Sequence, residues 1–190
     1  SGPFARELAR RRGLSEKQHL RECPRVHLKM IAVDGRSLYL GSANFTGAGI
    51  GARADDTSLS WMPLTHDMGL IGFHLTPLFQ GVDHWLMPTA LFVRRPGLWP
   101  VKASEHRVSV TCSPNFGYQH YLKSHDPAKA ANLDLSRIRI IFNGAEPIAA
   151  DLCREFLSAL APARLAPNVM FPVYGLAEAS LAVTFPAVGA

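Results

Sequence analysis

Cysteine is scarce in this chain of 190 residues: Cys23, Cys112 and Cys153 stand far apart. They form no CxxC pair and no zinc-ligand spacing, which excludes a disulfide scaffold and a zinc module. An odd, scattered set suits a reducing compartment, so a cytoplasmic location is expected. Long apolar runs are also lacking. No stretch reaches about 18 apolar residues free of charge, so no membrane span is expected. The apolar run at 68–80 is interrupted by His74, Thr76 and Pro77 and reads as a buried helix. No apolar region of secretory type opens the chain, which starts at Ser1 rather than Met, so an upstream piece is expected. Internal repeats and low-complexity segments are absent. Charged residues make up only 18%. The 47% apolar share is enough for a packed core at this length, whether as one large domain or two small ones.

What charge there is lies unevenly. Residues 1–53 hold ten Lys or Arg against four Asp or Glu, or +6 of a net +5. A basic front segment suits a phosphate-bearing partner, or is simply a solvated helix face around Arg10–Arg12. The Arg-rich residues 4–21 read as a weak helix. Residues 25–33 alternate as a strand, Asp34-Gly35 is a hairpin turn signal, and Ser37–Gly41 is the returning strand. Farther along, strands are expected near 57–62, 83–87, 108–112 and 137–142. Helices are expected near 67–80, 98–106, 115–124 and 149–160. This alternation predicts an α/β layered core with a largely parallel sheet, preceded by the basic hairpin segment.

The hairpin carries one set of candidate residues. His27 and Lys29 are two apart on a strand, so both side chains leave the same face. An imidazole beside an ammonium can attack phosphorus and neutralise the oxyanion. Ser42 and Asn44, just past the returning strand, can donate to phosphate oxygens, while Asp34 sits in the turn. The spacing H-x-K-x4-D-x6-G-S-x-N is complete and resembles the HKD motif of the phospholipase D superfamily. That resemblance implies a phosphodiesterase or nuclease reading with His27, Lys29 and Asn44 as catalytic residues. Because that superfamily builds its site from two HKD motifs, it also implies a homodimer.

A second set of blocks begins near residue 52. They are Ser60–Gly72 with Thr65-His66-Asp67-Met68-Gly69, Ser113-Pro114-Asn115-Phe116, Leu135–Pro147 ending Asn143-Gly144-Ala145-Glu146-Pro147, and Pro172–Glu178 with Tyr174-Gly175. Small residues after an apolar strand let a flat base approach the backbone at the strand's C-terminal end; an ordinary strand-to-helix turn has the same composition. Tyr174 offers an aromatic face beside Gly175. Glu178 offers a carboxylate to a divalent cation. His66-Asp67 reads as a hydrogen-bonded pair or an acid-stabilised helix start. Phe73 and Phe79 on the following helix line an acyl channel or fill the core, and Asn115, Phe116 and Tyr118 extend that wall or that core. His74, His84, His106, His120 and His125 have no metal-ligand spacing and read as structural or surface.

Together these blocks resemble the adenylate-forming, AMP-binding enzymes, and most closely the fatty-acyl-AMP ligases. The resemblance implies ATP and Mg²⁺ as cofactors and a fatty acid as substrate. Gly144, Ala145, Glu146, Pro147, Tyr174 and Gly175 would hold the nucleotide, Glu178 the metal, and His66 would act near the reacting groups. Acyl carrier protein or coenzyme A is the implied acceptor; no specific nucleic-acid partner is implied. The resembled ligases place a Gly/Ser/Thr-rich phosphate loop upstream of His66, where the HKD-like segment stands here. Their ribose-binding Asp and catalytic Lys come later in the chain than residue 190. The expectation is therefore two segments, an incomplete HKD-like one (1–51) and an AMP-binding core fragment (52–190), with weak or no turnover. A non-catalytic chimera associating through exposed sheet edges is the remaining alternative.

Overall fold

The computed structural model describes residues 53, 55–176, 181 and 184, together with three strands before them, β1 (Leu20–Glu22), β2 (Lys29–Val33) and β3 (Arg36–Leu40), as backbone. These three form an antiparallel sheet in the order β1-β2-β3. Val33 faces Arg36 across the β2–β3 pair, which leaves two residues for the turn expected at Asp34-Gly35. The helix expected over 4–21 lies outside the described residues except at its end. There Leu20 and Arg21 stand in β1, because pairing with Ile31 and Met30 gives their backbone a ladder partner.

The larger body is a five-stranded parallel sheet ordered β5-β4-β6-β7-β8. Its strands are β4 (Thr57–Ser60), β5 (Asp83–Leu86), β6 (Val110–Cys112), β7 (Ile140–Asn143) and β8 (Met170–Pro172). A π-helical turn, Met68–Leu75, runs into α1 (Thr76–Gln80) and joins β4 to β5. Next come α2 (Thr89–Arg94) and α3 (Leu98–Glu105), α4 (Asn115–Leu122) and α5 (Pro127–Ala130), and α6 (Ala150–Leu160) before β8. The alternation expected from the sequence is the observed one. Every strand is parallel, so all five C-terminal ends open on one edge of the sheet, and ligands of α/β sheets bind at that edge.

Burial explains the layering. β6 and β7 are buried along their whole lengths, as central strands of a parallel sheet covered on both faces must be. Helix α6 turns Cys153, Phe156 and Leu160 inward, at the spacing of one helical face. Phe156 meets Trp99, Tyr118 and Tyr121. Trp61 stacks on Phe92 with ring centres 3.9 Å apart. The Tyr118 hydroxyl donates to the Phe142 carbonyl, and burial holds its pKa well above the usual range. The edge strand β5 differs: Trp85 and Leu86 are 45% and 42% exposed.

The helix expected near 67–80 is present but begins in the wider π form. Gly69 is required at its first turn, since a Cβ there would meet the Pro63 carbonyl oxygen at 2.3 Å. The wider turn ends two residues before α1's Pro77, which cannot donate to a helical ladder. The Thr76 hydroxyl and backbone N–H both close onto the Ile71 carbonyl.

Candidate functional site

A cavity of about 360 Å³ opens at the C-terminal edge of the sheet, within the range of roughly 300–1,000 Å³ typical of ligand pockets. It gathers three loops. Thr65, His66, Asp67 and Met68 come from the segment after β4 and the start of the π turn. Phe142 and Ala145 come from the end of β7, and Val173, Tyr174, Gly175 and Leu176 follow β8, with Leu181 behind them.

His66 and Asp67 form one hydrogen-bonded unit at the rim. Nδ1 of His66 lies 2.8 Å from Asp67 Oδ1. The Met68 N–H lies within reach of both, 2.8 Å from Asp67 Oδ1 and 3.1 Å from His66 Nδ1. Asp67 thus caps the helix start and also faces the imidazole.

Across the cavity, the chain leaves β7 through Gly144 and Ala145. Gly144 is buried against Val173, whose carbonyl oxygen a Cβ would meet at 2.8 Å. Its small size serves the packing of β7 on β8, and Gly144 does not line the cavity. Ala145 adopts φ +70°, a left-handed conformation that costs an L-residue free energy and persists only where its surroundings impose it. Glu146 and Pro147 turn the other way, toward α4. The Phe116 N–H donates to Glu146 Oε1 at 2.9 Å, and the Asn115 amide donates to the Pro147 carbonyl. Tyr174, 62% exposed, offers its ring at the mouth, and its backbone bridges to Thr184.

Of the residues expected to meet a nucleotide, the structure brings Ala145, Tyr174 and Gly175 to one cavity with His66. Gly144, Glu146 and Pro147 do not line it: Gly144 packs against Val173, and Glu146 and Pro147 turn to α4. Glu178, His27 and Asn44 lie outside the described residues, and of Lys29 only the backbone position at the head of β2 is described. Phe73 is core: it is buried edge-on against Phe142. Tyr118 is also core, and Phe116 is exposed. The remaining histidines serve packing and hydrogen bonding: His74 with His84, His106 on Trp85, His120 with the Val93 carbonyl, and His125 with Tyr121. Among the described residues, no three His, Cys, Asp or Glu cluster as a metal site, and no helix is long and apolar enough to cross a membrane. Sequence reasoning missed Phe142, Val173, Leu176 and Leu181 as lining, because an apolar wall residue has the same sequence signature as a core residue.

The profile of the AMP-binding enzyme family matches residues 30–190, from within β2 through the whole parallel sheet. This chain belongs to the AMP-binding enzyme family. Its AMP-binding core is 35% identical to a putative acyl-CoA synthetase of Caulobacter vibrioides, over 84% of this chain and 28% of that protein. It is 36% identical to the medium-chain-fatty-acid–[acyl-carrier-protein] ligase JamA of Moorena producens, over 70% of this chain and 23% of that one. The fold superimposes on a crystal structure of a fatty acyl-adenylate ligase from Legionella pneumophila in complex with acyl adenylate and pyrophosphate. The TM-score is 0.75 at 30% identity, covering 86% of this chain and 30% of the ligase. The parallel sheet is therefore the core of an adenylate-forming enzyme's N-terminal domain. The chain spans about a quarter of the length of the curated relatives it matches.

Proposed function

We propose that this chain carries the nucleotide-facing part of a fatty-acyl-AMP ligase. In the reaction proposed for it, a fatty-acid carboxylate oxygen attacks the α-phosphorus of ATP. The bond to the bridging β-phosphate oxygen breaks, leaving acyl-adenylate and pyrophosphate. The observation that carries this reading is the single cavity that unites His66, Ala145, Tyr174 and Gly175 at the C-terminal edge of the sheet. An adenine ring would pack on Tyr174 against the backbone at Ala145. The Ala145 backbone is exposed there and strained into a fixed shape, which suits holding a flat group. His66, held beside Asp67, would position the reacting groups rather than move a proton. Glu178 would hold Mg²⁺, whose role when bound is to neutralise phosphate charge. Relatives named as an acyl-CoA synthetase and as an acyl-carrier-protein ligase support acyl transfer, with coenzyme A or acyl carrier protein as acceptor.

Calorimetry with a non-hydrolysable acyl-adenylate analogue tests the reading. Binding is expected for the wild-type chain, and weaker binding for Tyr174→Ala. A folded wild-type chain that releases no heat on titration overturns it.

A second proposal concerns the segment before residue 52. The register of β2 with β3 pairs Lys29 with Leu40. The two ends of the H-x-K…G-S-x-N pattern therefore lead off from neighbouring points of one hairpin. That pairing favours a phosphate-directed role for His27, Lys29 and Asn44, working in a homodimer as a segment distinct from 52–190. The AMP-binding match starts at residue 30 and crosses that boundary. Metal-independent phosphodiester cleavage lost in both His27→Ala and Lys29→Ala is the expected result; cleavage unchanged in both ends the proposal.

A further inference from the structure

The strained turn at Ala145 needs something to hold it, and one side chain bonds the loop on both sides of it. Asn115 stands at the first position of α4, half-buried. Its Nδ2 donates to the Pro147 carbonyl at 2.5 Å. Its Oδ1 accepts from Asn143 Nδ2 at 3.2 Å and from the Ala149 N–H at 3.4 Å. Residues 143, 147 and 149 bracket Ala145 on both sides, so a single amide fixes where the loop leaves β7 and where it enters α6. The neighbouring Phe116 N–H adds a fourth tie through Glu146. Asn143 is fully buried, and its Nδ2 also reaches Cys153 Sγ at 3.2 Å. The anchor therefore continues into the face of α6 that packs on the core.

We propose that Asn115 is a positioning residue for the nucleotide site: it clamps the 143–149 loop so that Ala145 keeps its left-handed backbone at the cavity wall. Asn115 does not line the cavity itself. An asparagine suits the task because it presents a donor and an acceptor on one planar group. A hydrophobic residue would leave the Pro147 carbonyl and the Ala149 N–H without these partners. The inference rests on the reading of this cavity as the nucleotide site only for its consequence on binding. The clamp itself is a property of the free protein.

The test uses the full chain with two readouts. The first is ligand-free: isotope-edited NMR of the Ala145 backbone carbon and amide shifts, which report φ. In Asn115→Ala the shifts are expected to move away from the left-handed range while those of core residues such as Ile140 stay put. Asn115→Asp keeps the acceptor but loses the donor to Pro147, so an intermediate displacement is expected. It also remains available if Asn115→Ala does not fold. The second readout is affinity for AMP, expected to fall about tenfold in Asn115→Ala and less in Asn115→Asp. Unmoved Ala145 shifts in a folded variant overturn the clamp, whatever AMP does. Shifts that move while AMP affinity stays equal to wild type separate the clamp from nucleotide binding and overturn its positioning role. A wild-type chain with no AMP affinity counts against the nucleotide reading, and the shifts still decide the clamp.

Discussion

The two ends of the parallel sheet solve opposite problems. At the N-terminal ends of the strands, Asp56 precedes β4, Ser109 precedes β6 and Arg139 precedes β7. Asp56 accepts from Ser109 Oγ at 2.7 Å, from Arg139 Nε at 2.9 Å, and from the Arg53 N–H at 2.8 Å. Burial alone would push this carboxyl up. The Arg139, Arg53 and Ser109 hydrogen bonds outweigh it and hold the pKa at about 2. The end is closed and ties three strands together. At the C-terminal ends the loops spread around a cavity, the backbone is strained at Ala145, and Tyr174 stands largely in solvent. One end is built to stay shut and the other to receive something. On the proposed reading, stability and recognition are separated along the strand axis, and substitutions should reveal the separation.

The largest effect is expected from Asp56→Ala, which leaves the Arg139 guanidinium buried without its carboxylate. Losing one partner of a buried pair costs about 3–5 kcal/mol, to be read from the denaturant midpoint. A variant as stable as wild type would erase the contrast between the two ends. Next comes Gly117→Ala, beneath the C-terminal edge, where a Cβ would meet Ser113 Oγ at 2.0 Å and Trp61 Cζ2 at 2.5 Å. Overpacking of this kind costs about 1–3 kcal/mol. A neutral result in thermal melting would mean that the open end is soft below its rim as well.

Acid provides a third comparison. The folded pKa of Asp56 lies below its ordinary value of 3.8, so its stabilising contribution is complete above about pH 4 and drains as pH falls toward 2. The shift is worth about 2 kcal/mol. In the Asp56→Asn variant that part of the acid slope should be missing, and an identical slope in both proteins would contradict the assignment. The smallest effect on stability, under about 0.5 kcal/mol, is expected for exposed Tyr174→Ala. Its effect should fall on ligand affinity, up to about tenfold for one lost aromatic contact. A Tyr174→Ala chain that melts several degrees lower would place that ring in the core's account instead.

Much of the closed architecture was legible in the chain. Ile140, Ile141 and Phe142 form a run apolar on both faces, which only a central strand requires. The β8 strand was not legible: Met170–Pro172 is three residues long, ends in proline and shows no alternation. Helices α2 and α5 are also short, at six and four residues, although Asp126-Pro127 carries a capping signal, with Asp126 accepting from the Ala128 and Lys129 N–H groups. The π form of Met68–Leu75 escaped because a segment apolar but for His74 looks alike at either helical pitch. At the site, His66, Ala145, Tyr174 and Gly175 were visible as residue types with a chemical use. Asn115 was visible only as a possible wall. Its clamping role depends on a carbonyl 32 residues away, and such a pairing exists only after folding.

Strand β5 has one further consequence. Its outer side has no neighbour within the described sheet, and it displays Trp85 and Leu86 beside that open ladder. Such an edge invites a second chain to add on through backbone hydrogen bonds. Self-association at high concentration is therefore an expected outcome for this sheet, independent of any ligand. A dimer detected in solution must be traced to its contact surface before it is credited to function, and a lysine placed at Trp85, where it would discourage edge pairing, is the direct way to trace it.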